Sequence, residues 1–155
     1  MKAHHFSLSV KWDGNKADGT NAYNSYTRNH QISIDGKETI NGSADPGFLG
    51  DTTKYNPEEL LLASISSCHM LWYLHLCADE GIIVLAYTDA ARATMVVAAN
   101  GRGTFEDVML NPTVILKNAL MIEKATTLHT KANECCFIAN AVNFKISHQP
   151  TFIVA

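Results

Sequence analysis

Between Phe6 and Trp12 apolar and polar residues alternate, so that Phe6, Leu8, Val10 and Trp12 share one face. This predicts a half-buried edge or hairpin strand, broken by Asp13-Gly14-Asn15. Two short runs follow, His30–Ile34 and Lys37–Ile40, with Asp35-Gly36 between them as a hairpin signal. Residues 43–55 have no period and carry Pro46, Gly47, Gly50 and Asp51, as a loop does. Asn56 then reads as an N-cap, Pro57 as the first helical residue, and Glu59 as the far side of a capping box. From Leu60 to Ala78 apolar residues occupy nearly all sides of that helix, and Gly81 ends it. Ser64, Ser66, Ser67, His69 and His75 argue against a membrane span, so a central core helix is expected.

Beyond the helix, residues 82–87 and 92–98 read as strands, residues 100–103 as a turn, and residues 104–117 as a further extended run. Helical spacing returns from about Asn118 to Cys136, where both Cys135 and Cys136 border the apolar face. Residues 142–146 and 151–154 close the chain as strands. The order predicts an α+β fold in one domain spanning residues 1–155, with helices segregated from an antiparallel or mixed sheet.

Charge narrows the partners. Twelve basic and 15 acidic residues leave a net charge of −3 with no basic run, which disfavours nucleic acid and anionic membrane surfaces. The first residues lack the apolar core of a signal peptide, so a cytoplasmic protein is expected. Four cysteines in 155 residues do not make a disulfide scaffold, and any disulfide would be transient and chemical.

Cys68, in the middle of the apolar helix, is the residue on which function turns. A thiol is nucleophilic as its thiolate, and apolar burial opposes ionisation, so a reactive Cys68 needs a nearby cation. The helix dipole acts over one turn and cannot reach a residue some ten positions in. Three arginines are available, Arg28, Arg92 and Arg102, the last in a glycine-flanked turn. An arginine beside a buried thiol needs an anion, and Glu58 or Glu59 can serve. Glu58 lies roughly 15 Å along the helix from Cys68, so a shared site calls for a second chain. Cys77, half a turn out of phase with Cys68, is structural. A metal site built from Cys68, His69, His129, Cys135 and Cys136 is the rival constellation, but its spacing matches no zinc pattern. His69 and His75 are expected instead as core or interface histidines satisfied by hydrogen bonds.

The segment NPEELLLASISSCHM, with NECCFIANAV near the C-terminus and Arg28 in YTRNHQISIDGK, resembles the OsmC/Ohr family of bacterial osmotic-stress and organic-hydroperoxide proteins. The SSCHM form and the GSADPGFLGD stretch look like an OsmC-like subgroup. The resemblance implies an intertwined homodimer with two central helices wrapped by strands, and a thiol peroxidase working without metal or organic cofactor. It makes Cys68 the peroxidatic thiol, Arg28 its activating cation, Glu58 the arginine's partner across the dimer, and Cys136 the resolving thiol. The family commonly has proline after that cysteine, whereas Phe137 follows here and Cys135 precedes. Helical spacing leaves the two thiols open, and alignment of Asn140-Ala141-Val142 favours Cys136. An organic hydroperoxide as substrate and an external dithiol as reductant are the implied partners. Two other classes compete: a dimer binding an apolar ligand in the same cleft, and a structural dimer with inert thiols.

Overall fold

A computed structural model describes residues 2–155. The chain forms two compact units, the first ending at Leu61 and the second running from Leu62 to Ala155.

In the first unit, β1 (Ser9–Trp12), β2 (His30–Ser33) and β3 (Ile40–Gly42) form an antiparallel sheet in that order. Ser9 pairs with Ser33, Trp12 with His30 and Ile32 with Ile40. The strand expected from Phe6 starts at Ser9, because β2 offers only four partners. Its residues are exposed rather than half-buried, and Phe6, just before it, lies 94% exposed. The hairpin signal is real, with Gly36 at φ 74° and Lys37 N–H donating to Ile34 O. The connection is longer than Asp-Gly alone, since pairing resumes only at Ile40.

Helix α1 (Pro57–Asp79) opens as its sequence dictates. Asn56 Oδ1 accepts from the Glu59 N–H at 2.7 Å, and Glu59 Oε2 accepts from the Asn56 N–H at 3.0 Å. These reciprocal bonds satisfy two donors at the helix start, and Asn56 is itself buried. Asn56→Ala is expected to cost about 1 kcal/mol and lower the melting temperature by about 3 °C, read by calorimetry. At the other end Ile82 N–H reaches Cys77 O at 2.8 Å and Gly81 N–H reaches Ala78 O at 3.1 Å. Gly81 sits at φ 69°, completing a Schellman cap.

Two further sheets make up the second unit. In the first, β4 (Val84–Asp89), β7 (Pro112–Leu116) and β9 (Thr151–Val154) lie with β7 central, antiparallel to β4 and parallel to β9. In the second, β5 (Arg92–Val97), β6 (Gly103–Leu110) and β8 (Lys145–His148) lie with β6 central, antiparallel to β5 and parallel to β8. The single extended run expected over residues 104–117 is thus two strands in different sheets. The chain crosses at Asn111-Pro112, where Asn111 N–H is taken by Asp89 Oδ1 at 2.7 Å and Pro112 has no N–H to donate.

Helix α2 (Ile122–Cys135) follows a 3-10 turn at Ala119–Met121, which Asn118 caps by accepting from the Leu120 N–H. It is shorter than expected at its far end, since Cys136 is already extended at φ −67°, ψ 113°. Alternate residues of β7, Val114 and Leu116, are wholly buried against Tyr73 and Cys77 of α1 and Ala125 and Ala132 of α2. The buried stripe of α1, Ile65, His69, Tyr73 and Cys77, recurs every four residues. Its next stripe is left for chemistry.

Candidate active site

Ser64, Ser67, Cys68, Leu71, Trp72 and His75 fall on adjoining faces of α1 at helical spacing. They line a cavity of about 490 Å³ with Phe137 and Ile138, which follow α2. The Trp72 and Phe137 rings meet edge to face, 5.6 Å between centroids at 90°, and fix the apolar wall. His75, an exposed member of the lining, has its Nε2 3.4 Å from the Asp79 carboxylate.

Cys68 is part-exposed in this cavity, whereas Cys136 is 0% exposed. The two thiols are close enough to act on one another, and neither is in a disulfide. Burial first, and then the neighbouring Cys68 thiol, pushes the Cys136 thiol up to about 11, so Cys136 keeps its proton at neutral pH. A tight turn holds it in place. Ala139 N–H donates to Cys136 Sγ at 3.4 Å, Asn140 N–H to Cys136 O at 3.0 Å, and the Asn140 amide to Glu134 O at 2.9 Å. Asn140 thus ties the segment after Cys136 back to the end of α2.

The thiol that meets Cys68 is Cys136; Cys135 is a part-exposed thiol near Lys131, which lies one turn earlier on α2. Cys77 is buried beside Tyr73, and burial raises its thiol above the ordinary range. Phe137 and Ile138 are the wall residues that sequence reasoning missed. Their signal was a pair of large apolar residues directly after Cys136.

The other two predicted residues belong to the first unit. Arg28 donates to the carbonyls of Tyr26, at 2.7 Å, and Tyr23, and its guanidinium stacks on both rings at 4.3 and 4.2 Å. Aromatic faces and carbonyls therefore hold the charge without a carboxylate in either contact. Glu58 is half-buried in the first turn of α1. The rival metal constellation fares differently: His69 and His129 do meet, Nε2 to Nδ1 at 2.9 Å, but that contact is a hydrogen bond between the rings. Among the described residues no group of three or more histidines, cysteines and carboxylates is arranged to hold a metal ion.

An α+β unit with a cysteine in the lining of an apolar cavity and a second thiol next to it defines the class. The OsmC-like protein model matches residues 50–150, and the chain belongs to that family. An OsmC-like protein of unknown function from Vibrio cholerae shares 30% identity over 96% of this chain and 99% of its own, with a TM-score of 0.84. An organic hydroperoxide resistance protein from Elizabethkingia anophelis superposes over 100% of both chains at 22% identity, with a TM-score of 0.69. One from Legionella pneumophila superposes over 97% of this chain and 98% of its own at 17% identity, with a TM-score of 0.69. Among curated protein sequences none matches the chain.

Proposed function

We propose that this chain is a cysteine-based thiol peroxidase that reduces organic hydroperoxides, acting as a homodimer in the cytoplasm. The observation that carries the reading is the contact between Cys68 and Cys136 beside an apolar cavity. The Cys68 thiolate attacks the distal oxygen of the hydroperoxide. The O–O bond breaks, the alkoxide leaves and takes a proton as the alcohol, and Cys68 becomes a sulfenic acid. Cys136 sulfur then attacks Cys68 sulfur, and its proton leaves with the hydroxide as water, giving a disulfide. An external dithiol returns both thiols by exchange.

The cavity wall suits an alkyl or aryl group better than bare hydrogen peroxide, since Leu71, Trp72, Phe137 and Ile138 present mainly apolar surface to it. Arg28 is assigned the activating cation and Glu58 of a second copy its counter-ion by their match to the family's motifs. The family relationship supports a hydroperoxide-related redox role in general, and two solved relatives bear the name organic hydroperoxide resistance protein. The test is one stoichiometric dose of an organic hydroperoxide followed by mass spectrometry. A sulfenic-acid trap is expected to mark Cys68, and without the trap a Cys68 to Cys136 disulfide forms. Thiols left unmodified would sink the peroxidase reading; an apolar ligand bound equally well after Cys68→Ser would favour a binding protein.

A further inference from the structure

Three histidines from three elements meet in the core of residues 62–155: His69 on α1, His129 on α2 and His148 on β8. Their ring centroids lie 5.3 Å apart for His69 and His129, and 5.7 Å for each of these with His148. His69 is 1% exposed and His129 0%. Tyr73 stacks on His129 at 3.9 Å, and the Phe152 ring of β9 lies tilted to His129 at 6.1 Å.

The hydrogen bonding is incomplete in an informative way. His69 Nε2 and His129 Nδ1 share one bond of 2.9 Å, while His69 Nδ1, His129 Nε2 and His148 Nδ1 are buried without a partner. A neutral imidazole has one donor and one acceptor nitrogen. Whichever ring donates, the pair therefore ends in one N–H and one bare nitrogen. A first added proton takes that bare nitrogen and places a cation where nothing anionic receives it. A second turns both inner nitrogens into donors, facing each other across 2.9 Å, and the contact must break.

Burial is the main cause that lowers all three histidines, His69 to about 4 and His129 to about 3, and the other histidines add to it for these two. Tyr73 of α1 stacks on His129, with Cys77 of α1 and Tyr87 of β4 against Tyr73 in turn; all three are neutral at and below pH 7, and burial raises them further. Asp89 stands behind Tyr87, its carboxylate taken by Ser66 and by the Asn111 N–H.

The cluster ties together the elements that carry the two thiols. His69 is next to Cys68 on α1, and His129 is on α2, whose last residue, Cys135, directly precedes Cys136. We propose that the His69–His129–His148 stack is an acid-released latch that holds the Cys136 end of α2 against α1. This gives a regulatory role to the thiol contact and rests on the peroxidase reading only for the importance of that contact.

The sign follows from linkage. Histidines whose folded values lie below 6.5 stabilise the fold fully above that pH, and the contribution fades as pH falls from 6.5 towards about 4 for His69 and about 3 for His129. Asp51, lowered by Lys54 and Thr53, loses its contribution only below 3.8.

The test uses the reduced full-length chain and dithiodipyridine, a thiol reagent that remains active in acid, with Cys136 labelling mapped by mass spectrometry across pH. Cys136 is expected to be protected at neutral pH and to become labelled at least about tenfold faster between pH 6.5 and 4, with uptake of more than one proton. His129→Phe, which keeps the stack on Tyr73, and His148→Gln should each move the midpoint to lower pH and remove about one proton from the slope. Protection of Cys136 down to about pH 4, or variants with unchanged midpoint and slope, would overturn the latch. Should either variant fail to fold, the other variant and the proton number of the unaltered chain decide. No peroxide is involved, so a chain that makes no sulfenic acid can still show the transition. A chain without the transition can still turn over hydroperoxide at neutral pH.

Discussion

Cys68→Ser is expected to lower kcat/KM for an organic hydroperoxide by about 10³-fold or more, because a hydroxyl stays un-ionised at neutral pH and cannot take up the peroxide oxygen as a thiolate does. The loss should appear in kcat, with binding of a non-reactive alkyl analogue nearly unchanged, since Leu71, Trp72 and Phe137 still form the cavity. Cys136→Ser should behave differently. The first alcohol is released at close to the normal rate, but no intramolecular disulfide follows, and excess peroxide drives Cys68 to sulfinic acid. Rapid-quench measurement of alcohol, with intact-mass detection of the added oxygens, separates the two variants. Cys135→Ser should leave both steps intact, because Cys136 is the thiol that meets Cys68. A Cys136→Ser chain that cycles normally while Cys135→Ser does not would reverse the resolving assignment.

Much of the scaffold was legible because its signals are local. The capping box at Asn56 and Glu59 and the glycine stop at Gly81 depend on contacts within a few residues, and the sequence alone places them well. The change of sheet at Asn111 was not legible, since Gly103–Leu110 and Pro112–Leu116 are equally extended and differ only in which distant strands they pair with. Likewise Cys135 and Cys136 both border an apolar face by spacing. What separates them is that α2 stops between them, so that Cys136 turns inward and Phe137 becomes cavity wall. The histidine stack was hidden for the same reason: His69, His129 and His148 are far apart in sequence, and only packing of three elements brings them together. Spacing predicts His69 as a core histidine satisfied by hydrogen bonds. It has one such bond, to His129, and one nitrogen without a partner.

The second large effect is expected at Gly50→Ala. Gly50 lies in the loop that leads to the N-cap of α1, and its φ is not in the left-handed region, so conformational freedom is not its reason. Space is. The chain doubles back there: Gly50 N–H donates to Asp45 O at 3.1 Å, Leu49 N–H to Pro46 O at 3.1 Å, and Asp45 Oδ1 accepts from the Gly47 N–H at 2.8 Å. A Cβ on Gly50 would stand 1.6 Å from Ala44 O and 2.8 Å from Asp45 O, both backbone atoms that no rotamer change can move. The loop must open, and with it the bonds that close its base, Asp51 N–H to Ser43 Oγ and Ser43 N–H to Tyr55 O. A cost of about 3 kcal/mol is expected, a fall in melting temperature of about 10 °C. Gly101→Ala is the comparison. Its Cβ meets nothing within 4 Å, but its φ of 80° strains any side chain, so about 1 kcal/mol and a fall of about 3 °C are expected. Equal losses at the two sites, measured by calorimetry, would show that backbone conformation rather than the close approach to Ala44 keeps glycine at position 50.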